Sequence, residues 1–190
     1  MENKRVVSLV GKKVILRPPN VETDVELFYR WINDPEVRCF LAVVLPVTIM
    51  EERKWVEGIG KNDENIIFVI ETKEDGIPIG TMGLHRINWV FRTATTGALI
   101  GEKEYWGKGF GTDAKMTLLD YAFNTLNLRK ICSSAFSYNG RSIGHNLKCG
   151  YQLEGVRKRQ FFRKGRYWDQ VLLAVFKRDW LPLWKKYNGK

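Results

Sequence analysis

Trp106-Gly107-Lys108-Gly109-Phe110-Gly111-Thr112 is the stretch of sequence that decides the fold. A diphosphate group requires several convergent N–H donors and no side chains in the way, and glycines just ahead of a helix N-terminus meet both requirements. Lys108 adds a positive charge beside them. The glycines follow a predicted strand and open a predicted helix, and this context favours a phosphate-binding loop over an ordinary tight turn.

Two well-known phosphate-binding motifs do not fit this loop. The third glycine comes too early for a dinucleotide-binding fingerprint, and the acidic residue expected further along is not in place. The Gly-Lys-Ser or Gly-Lys-Thr ending of a Walker loop is also absent. The loop therefore predicts a diphosphate ligand of another kind.

Strands and helices alternate along the rest of the chain. Runs of β-branched and aromatic residues bounded by turn residues predict strands, and apolar residues three and four apart predict helices. The predicted strands cover residues 14–17, 66–70, 78–84, 95–100, 130–136, 151–155, 161–162 and 171–176. The predicted helices cover residues 23–33, 49–59, 113–126 and 142–148. This alternation predicts an α+β fold in which helices cover the faces of a mixed sheet.

Capping boxes indicate where the first two helices begin. Thr23 and Glu26 have the spacing of such a box, and so do Thr48 and Glu51. Each Thr is expected to cap the first turn of its helix.

Apolar residues indicate which helix sides pack inward. In the second helix these are Met50, Trp55 and Ile59. Near the C-terminus, the segment 180–184 is expected to cap the core, because Pro182 disfavours a long amphipathic helix there.

Composition limits the classes of protein that remain. The 190 residues fit one domain spanning 1–190, and the net charge of +10 favours an anionic partner such as coenzyme A, an acidic substrate or RNA. The chain has three widely spaced cysteines and two histidines, a set that predicts neither a disulfide framework nor a metal site. No apolar run is long enough to span a membrane, and no signal peptide is evident, so a cytoplasmic protein without membrane contact is expected.

Several segments together resemble the GNAT acetyltransferase superfamily. Its coenzyme A loop has the pattern Arg/Gln-x-x-Gly-x-Gly/Ala, which Gly109 and Gly111 match, while Trp106 departs from Arg/Gln. This departure resembles the ribosomal-protein N-terminal acetyltransferase (RimJ/RimL-like) branch and its spermidine and antibiotic relatives. The other matching segments are Leu16-Arg17-Pro18, Trp31-Ile32-Asn33-Asp34-Pro35, Ile79-Gly80-Thr81-Met82-Gly83-Leu84, Asn139-Gly140-Arg141-Ser142 and Cys149-Gly150-Tyr151.

The resemblance implies a fold and a set of cofactor-binding residues. The expected fold is a mixed, largely antiparallel sheet with helices on both faces and splayed central strands that form the acetyl-CoA cleft. The main chain of the strand before the loop would pair with the pantetheine. Asn139 would contact the cofactor, and the Ser142 hydroxyl would lie near the thioester sulfur and protonate the thiolate. The implied cofactor-binding residues are Leu99, Ile100, Gly101, Trp106, Gly107, Lys108, Gly109, Phe110, Gly111, Thr112, Asn139 and Ser142.

Each of these residues also has a structural interpretation. Leu99, Ile100 and Gly101 fit an ordinary buried strand end. Read locally, Ser142 is a good N-cap for the helix that follows it.

The general base is the least defined part of the implied reaction, in which an amine attacks the thioester. An alkylamine with a pKa near ~10 must first lose a proton. Thr95 and Thr96 stand where this branch often carries Glu. The remaining candidate catalytic residues are Glu102 and Glu104, which flank the cofactor loop, and His85. A solvated surface position for Glu102 and a structural role for His85 are the alternatives. Asn146 stands where spermidine-type relatives carry a catalytic Tyr, which disfavours polyamine acetylation by that route.

The resemblance thus predicts an N-acetyltransferase that uses acetyl-CoA and acts on a primary amine, either a protein N-terminus or a small molecule. One alternative is a catalytically impaired module that binds coenzyme A. Another is an RNA- or ribosome-associated protein that uses the basic run from Arg157 to Arg166, although such a run is more often a solvated hairpin, so nucleic acid is not an expected partner. A homodimer is a further candidate assembly.

Overall fold

The structure, a computed structural model, describes residues 8–189. It contains eight strands and six α-helices, listed here in chain order. They are β1 (Leu9–Val10), β2 (Val14–Arg17), α1 (Val21–Asn33), α2 (Pro35–Arg38), α3 (Ile49–Gly58), β3 (Ile66–Thr72), β4 (Pro78–Asn88), β5 (Thr93–Ile100), α4 (Phe110–Asp120), β6 (Lys130–Phe136), α5 (Gly140–Lys148), β7 (Gln152–Arg163), β8 (Arg166–Phe176) and α6 (Lys177–Asn188).

The strands form one sheet in the order β1-β2-β3-β4-β5-β6-β8-β7. The pairs β1/β2, β2/β3, β3/β4, β6/β8 and β7/β8 are antiparallel, and β5/β6 is parallel. The parallel ladder has three residue pairs, from Thr93↔Lys130 to Thr95↔Cys132, although both strands continue beyond it. The mixed, largely antiparallel sheet predicted from the sequence is confirmed, and this short ladder is what splayed central strands would show.

Two compact units are described separately below. Unit 1 comprises residues 8–85 and 97–118 of the described chain, and unit 2 comprises residues 86–96 and 119–189. One hydrophobic core cluster of unit 1 consists of Val25, Phe28, Trp31, Val56 and Val69, against which Leu99 packs. That the chain is one domain from 1 to 190 stays a prediction.

Helix α1 begins earlier than its predicted cap. The N-cap is Asn20, whose side-chain oxygen accepts a hydrogen bond from the Glu22 amide at 2.8 Å. Thr23 and Glu26 therefore lie inside the helix, and the prediction that they form its capping box is wrong. An Asn side chain satisfies the same first-turn amides, and this alternative start was not recognised in the sequence.

Helix α3 has its predicted start but a different buried side. Thr48 and Glu51 form the capping box, with the Glu51 amide donating to the Thr48 hydroxyl at 3.2 Å. Met50 and Trp55, however, are 67% and 45% exposed, so the predicted inward side is wrong. The buried residues of α3 are Glu52 and Val56.

Two further helices differ from expectation. Helix α4 begins at Phe110, earlier than the predicted start at 113, and continues as a π-helical turn over Tyr121–Thr125. Helix α6 runs through Pro182, so the expectation that this proline rules out a long helix is wrong. In unit 2 Trp180 is fully buried with its ring centroid 5.3 Å from that of Phe123, and the expected capping of the core is confirmed.

Candidate active site

The glycine loop joins β5 to α4 in unit 1. A 3₁₀ turn over Lys103–Tyr105 follows β5, and α4 begins at Phe110. Gly107 and Gly109 have φ of 75° and 87°, the left-handed region that other residues rarely adopt. An added Cβ at Gly107 would meet open space, so backbone conformation and not packing requires this glycine. The first turn of an α-helix leaves N–H groups without intrahelical acceptors, and the loop presents these donors.

A lysine from another part of unit 1 lies against this loop. The Lys13 ammonium donates to the Lys108 carbonyl at 3.0 Å and sits 5.6 Å from the centre of the Phe110 ring. Lys108 places its own ammonium 6.0 Å from the Tyr105 ring. Two cations thus flank the loop, and Lys13 was not among the residues predicted from the sequence.

Asp113 ties the start of α4 to β2. Its buried carboxylate accepts hydrogen bonds from the amides of Lys12, Lys13 and Val14, at 3.1, 2.7 and 3.0 Å. A Cβ at Gly11 would lie 2.4 Å from an Asp113 oxygen, so only glycine fits there. These contacts fix Lys13 beside the loop.

Some backbone groups at the end of β5, before the loop, already form hydrogen bonds within unit 1. The Trp106 indole N–H donates to the Ile100 carbonyl at 2.8 Å, and the Gly101 amide donates to the Ile79 carbonyl at 2.9 Å. A Cβ at Gly101 would lie 2.1 Å from the Trp31 ring, so glycine is required at 101 for packing. Leu99 packs against the core cluster, while Ala98 is exposed.

Glu102 joins α1 to the segment that follows β5. Its Oε1 accepts one hydrogen bond from the Trp31 indole at 2.8 Å and another from Arg30 at 2.7 Å. The side chain is partly buried and is not a solvated surface group. These contacts fix the orientation of α1 and engage one of the two carboxylate oxygens, Oε1.

His85 lies inside β4 and not at its end as expected, because the strand continues to Asn88. An added Cβ at Gly97 would lie 2.8 Å from His85 Nε2, so Gly97 provides the room that the imidazole occupies. His85 is half-buried.

Unit 2 carries Asn139 and Ser142 at the start of α5. The N-cap is Asn139, whose Oδ1 accepts from the Ser142 amide at 3.0 Å, so the local interpretation of Ser142 as the N-cap is wrong. The Ser142 carbonyl accepts from the Asn146 side chain at 2.8 Å. Within residues 8–189 the Ser142 hydroxyl forms no hydrogen bond, which leaves it available to a ligand.

Thr96, also in unit 2, has a structural partner. Its hydroxyl lies 2.9 Å from the Tyr151 hydroxyl in a buried pair. Burial raises the pKa of Tyr151 well above its ordinary value, and the hydrogen bond with Thr96 offsets only part of that rise. Tyr151 therefore stays neutral and stabilises the unit without supplying a charge.

Glu52, in unit 1, is a carboxylate that the sequence analysis overlooked. It is 7% exposed, and in the described part of the chain its carboxylate has no hydrogen-bond or ion-pair partner. Burial raises the pKa of Glu52 above its ordinary value. The sequence pattern could have identified Glu52. One acid lies within an otherwise apolar stripe of residues at helical spacing, formed by Ile49, Glu52, Val56 and Ile59.

Metal-binding and membrane-spanning features are absent from the part of the chain that is described. Residues 8–189 contain no group of three or more His, Cys, Asp or Glu side chains arranged to hold a metal ion. None of the helices described has the length and apolar character needed to cross a bilayer.

Comparison with known proteins places this chain in a family. Residues 13–152 match the model of the acetyltransferase (GNAT) domain. An uncharacterised N-acetyltransferase, p20, of Bacillus licheniformis is 29% identical over 91% of this chain and 98% of its own length. The spermidine N(1)-acetyltransferase of Escherichia coli K12 is 34% identical over a segment that spans 60% of each chain.

Solved structures agree with the sequence comparison. The spermidine N-acetyltransferase of Vibrio cholerae, in complex with CoA and spermine, superposes with a TM-score of 0.81 at 26% identity, over 89% of this chain and 98% of that one. The predicted GNAT fold is thereby confirmed, and so is acetyl-CoA as the expected cosubstrate. The chain belongs to the GNAT acetyltransferase family and is an acetyl-CoA-dependent N-acetyltransferase.

Proposed function

We propose that the enzyme acetylates a primary amine by direct attack of the amine nitrogen on the thioester carbonyl. The new C–N bond replaces the C–S bond, and coenzyme A leaves as a thiolate that takes up a proton. The acceptor is either a protein N-terminus, as in the RimJ/RimL-like branch that the sequence resembles, or a small-molecule amine, as the spermidine relatives suggest. The enzyme must also remove a proton from the acceptor amine.

The glycine loop, residues 106–112, is our proposed diphosphate site. The observation that carries the proposal is the left-handed backbone of Gly107 and Gly109 directly before the N-terminus of α4. This conformation turns successive amides toward one ligand, and the helix dipole favours its negative charge. Lys13 and Lys108 add positive charge from side chains that stand beside the loop.

Main-chain pairing with the pantetheine is proposed for β5. Leu99, Ile100 and Gly101 were the candidates, but the Ile100 carbonyl and the Gly101 amide already have partners. We therefore extend the proposed pairing to the exposed Ala98, which lies on the same edge of the strand as Ile100 because strand polar groups alternate in direction.

Ser142 is our proposed proton donor to the departing thiolate, with Asn139 beside it as a cofactor contact. The half-buried Ser142 hydroxyl has no hydrogen-bond partner among residues 8–189, whereas its amide and carbonyl are held by Asn139 and Asn146. The backbone is thus fixed while the hydroxyl stays available.

Glu52 is our proposed acceptor of the amine proton. It shares the buried side of α3 with Val56, which lies in the same core cluster that Leu99 of β5 packs against. A carboxylate with a raised pKa is a better proton acceptor than a solvated one. Glu102 is better explained as a residue that positions α1, since its Oε1 is already bound by Arg30 and Trp31, and His85 remains the second candidate base.

The cofactor part of the proposal is tested by Gly109→Val. A β-branched side chain cannot adopt the φ of 87° without strain, so the loop amides would turn away from the ligand. We expect the Kd for coenzyme A in calorimetry to rise more than about tenfold. Gly58→Ala is the matched control, because an added Cβ there meets open space; equal weakening by both variants would refute the loop assignment.

The chemical part is tested by Glu52→Gln and Ser142→Ala in a free-thiol assay across amine acceptors. We expect each variant to bind coenzyme A normally, and Glu52→Gln to lower kcat roughly a hundredfold, the size expected for loss of a general base. Glu57→Gln, exposed on the same helix, should leave kcat unchanged. If wild-type protein binds coenzyme A but acetylates no amine, the proposed function is wrong and a cofactor-binding module remains.

A further inference from the structure

Unit 2 contains a cluster of four aromatic rings, called here the aromatic wall. Its members are Phe136, Tyr138, Phe161 and Trp168. Their ring centroids are 4.6 to 5.1 Å apart in successive contacts, from Phe161 through Phe136 and Tyr138 to Trp168. Contacts of this kind hold side chains rigidly, so groups that rest on the wall are held in place too.

Two arginines rest on the aromatic wall. The Arg166 guanidinium lies 3.7 Å from the centre of the Trp168 ring, and that of Arg163 lies 5.8 Å from the Phe136 ring. Arg166 is exposed, so its N–H donors face water while its flat side is held by the indole. A guanidinium fixed in this way is ready to bind a carboxylate or phosphate with two parallel hydrogen bonds.

The hairpin tip concentrates positive charge. Arg163 and Arg166 are directly opposite in the β7/β8 register, and Lys164 between them has a left-handed φ of 51°. Like charges facing each other across a ladder are unfavourable. In the described chain neither Lys164 nor Arg166 forms an ion pair.

Asp169, an acidic residue of the same hairpin, binds residues other than Arg166. Asp169 accepts hydrogen bonds from the Arg159 amide at 2.8 Å and from the Lys158 ammonium at 3.1 Å. It thereby holds a bulge in β7 where the register shifts between Arg157 and Phe161. The carboxylate that stabilises the bulge is therefore engaged away from Arg166.

The aromatic wall connects the hairpin tip to the start of α5. Tyr138 immediately precedes Asn139 in the sequence. The Tyr138 ring contacts the Trp168 ring, and the Arg166 guanidinium stacks on Trp168. Only two ring contacts therefore separate the Arg166 guanidinium from the residue next to Asn139. An anion bound by Arg166 would be positioned relative to the turn that bears Asn139 and Ser142.

We infer that Arg166, supported by Trp168, is a specificity-determining residue that selects acceptors carrying an acidic group near the reactive amine. This inference rests on the proposed function, because it takes Asn139 and Ser142 to mark the reacting end of the acceptor. The acceptor class that fits best is a peptide or protein N-terminus with acidic residues directly after the α-amine. A polycationic amine would be repelled by the same tip.

The test compares two peptides that differ only in charge. Both begin with the same residue, and positions two and three are Asp-Asp in one and Asn-Asn in the other; spermidine is the third acceptor. For the wild type we expect a KM for the acidic peptide at least about tenfold below that for the neutral one, in line with a charge-assisted pair. Arg166→Ala should abolish this difference by raising KM for the acidic peptide alone, with kcat little changed.

Two variants separate specificity from general damage. Arg166→Lys keeps the charge but loses the planar fork and should show an intermediate preference. Arg178→Ala removes an exposed arginine that, among residues 8–189, pairs with its neighbour Asp179, and this variant should keep the full preference. Equal activity on both peptides, preference for spermidine, or an equal effect of Arg166→Ala on both peptides would overturn the inference. The proposed function would survive any of these results and would fail only if no amine were acetylated.

Discussion

Unit 1 buries acidic side chains in two different ways. Around Arg17, the carboxylates of Asp24 and Glu71 both bind the guanidinium, with two Arg17–Asp24 contacts at 2.6 and 2.7 Å. Burial by itself would lower the pKa of Arg17, but the hydrogen bonds and charges of Asp24 and Glu71 outweigh it and raise the pKa, so the cation persists. Glu52 is buried to a similar degree but has no partner among the residues described.

The difference shows that burial of a charged group does not by itself indicate function. A paired buried charge has its desolvation offset by its partners and is explained by the fold. An unpaired buried carboxylate costs stability, and such a cost is typical of sites that a ligand completes. This contrast is why we assign proton transfer to Glu52 and a structural role to the Arg17 cluster.

Among these variants, Arg17→Met is expected to change the free energy of unfolding the most. Removing the guanidinium takes the cation away from two buried carboxylates, and loss of one partner of a buried ion pair costs about 3–5 kcal/mol. Urea denaturation should show this loss in the free energy of unfolding. Arg53→Met is the control, because Arg53 and Glu22 are exposed and 3.8 Å apart. Similar losses in both variants would mean that the Arg17 cluster is not a buried ion-pair network.

Glu52→Gln should change the free energy of unfolding by a smaller amount and in the opposite direction, so that the variant is more stable. Because burial raises the pKa of Glu52, the folded state holds its proton more tightly than the unfolded state, so ionisation at neutral pH destabilises the wild type. Gln cannot ionise, and the variant should be more stable at neutral pH. This advantage should shrink as pH falls through the raised pKa and vanish below the ordinary value of 4.5.

Denaturation midpoints of wild type and Glu52→Gln, measured across this pH range, test the assignment. A variant less stable than the wild type at neutral pH would show that Glu52 has a stabilising partner and would remove the contrast with Arg17.

Lys103→Ala is expected to change the stability of the protein the least. Lys103 binds Asp34 and Glu36, each at 3.2 Å, but all three groups are open to solvent. The hydrogen bonds that the Lys103 ammonium donates to Asp34 and Glu36 raise the pKa of Lys103, yet water and salt screen such a pair. We expect no measurable change in the denaturation midpoint in moderate salt. A clear loss would show that exposed pairs in unit 1 contribute as buried ones do.

Much of the site could be predicted from local sequence. The glycine loop and the α4 helix behind it are encoded by residues adjacent in the chain, since Gly107 and Gly109 meet a local backbone requirement. The Thr48–Glu51 capping box is equally local and was predicted correctly. The Thr23–Glu26 box has the same spacing but lies inside α1, because Asn20 begins the helix first.

The sequence by itself determined the family and the cosubstrate, through a resemblance carried by several short motifs. It also determined the position of the glycine loop, because glycine spacing and helix periodicity act over a few residues. Only the tertiary structure decided which charges are paired. Lys13 reaches the loop across 95 residues, and Glu102 is bound by α1. Glu52 lies buried with no partner among residues 8–189, while Met50 and Trp55 face outward. The physical reason is that hydrogen bonds and burial depend on neighbours brought together by folding, which no local pattern records.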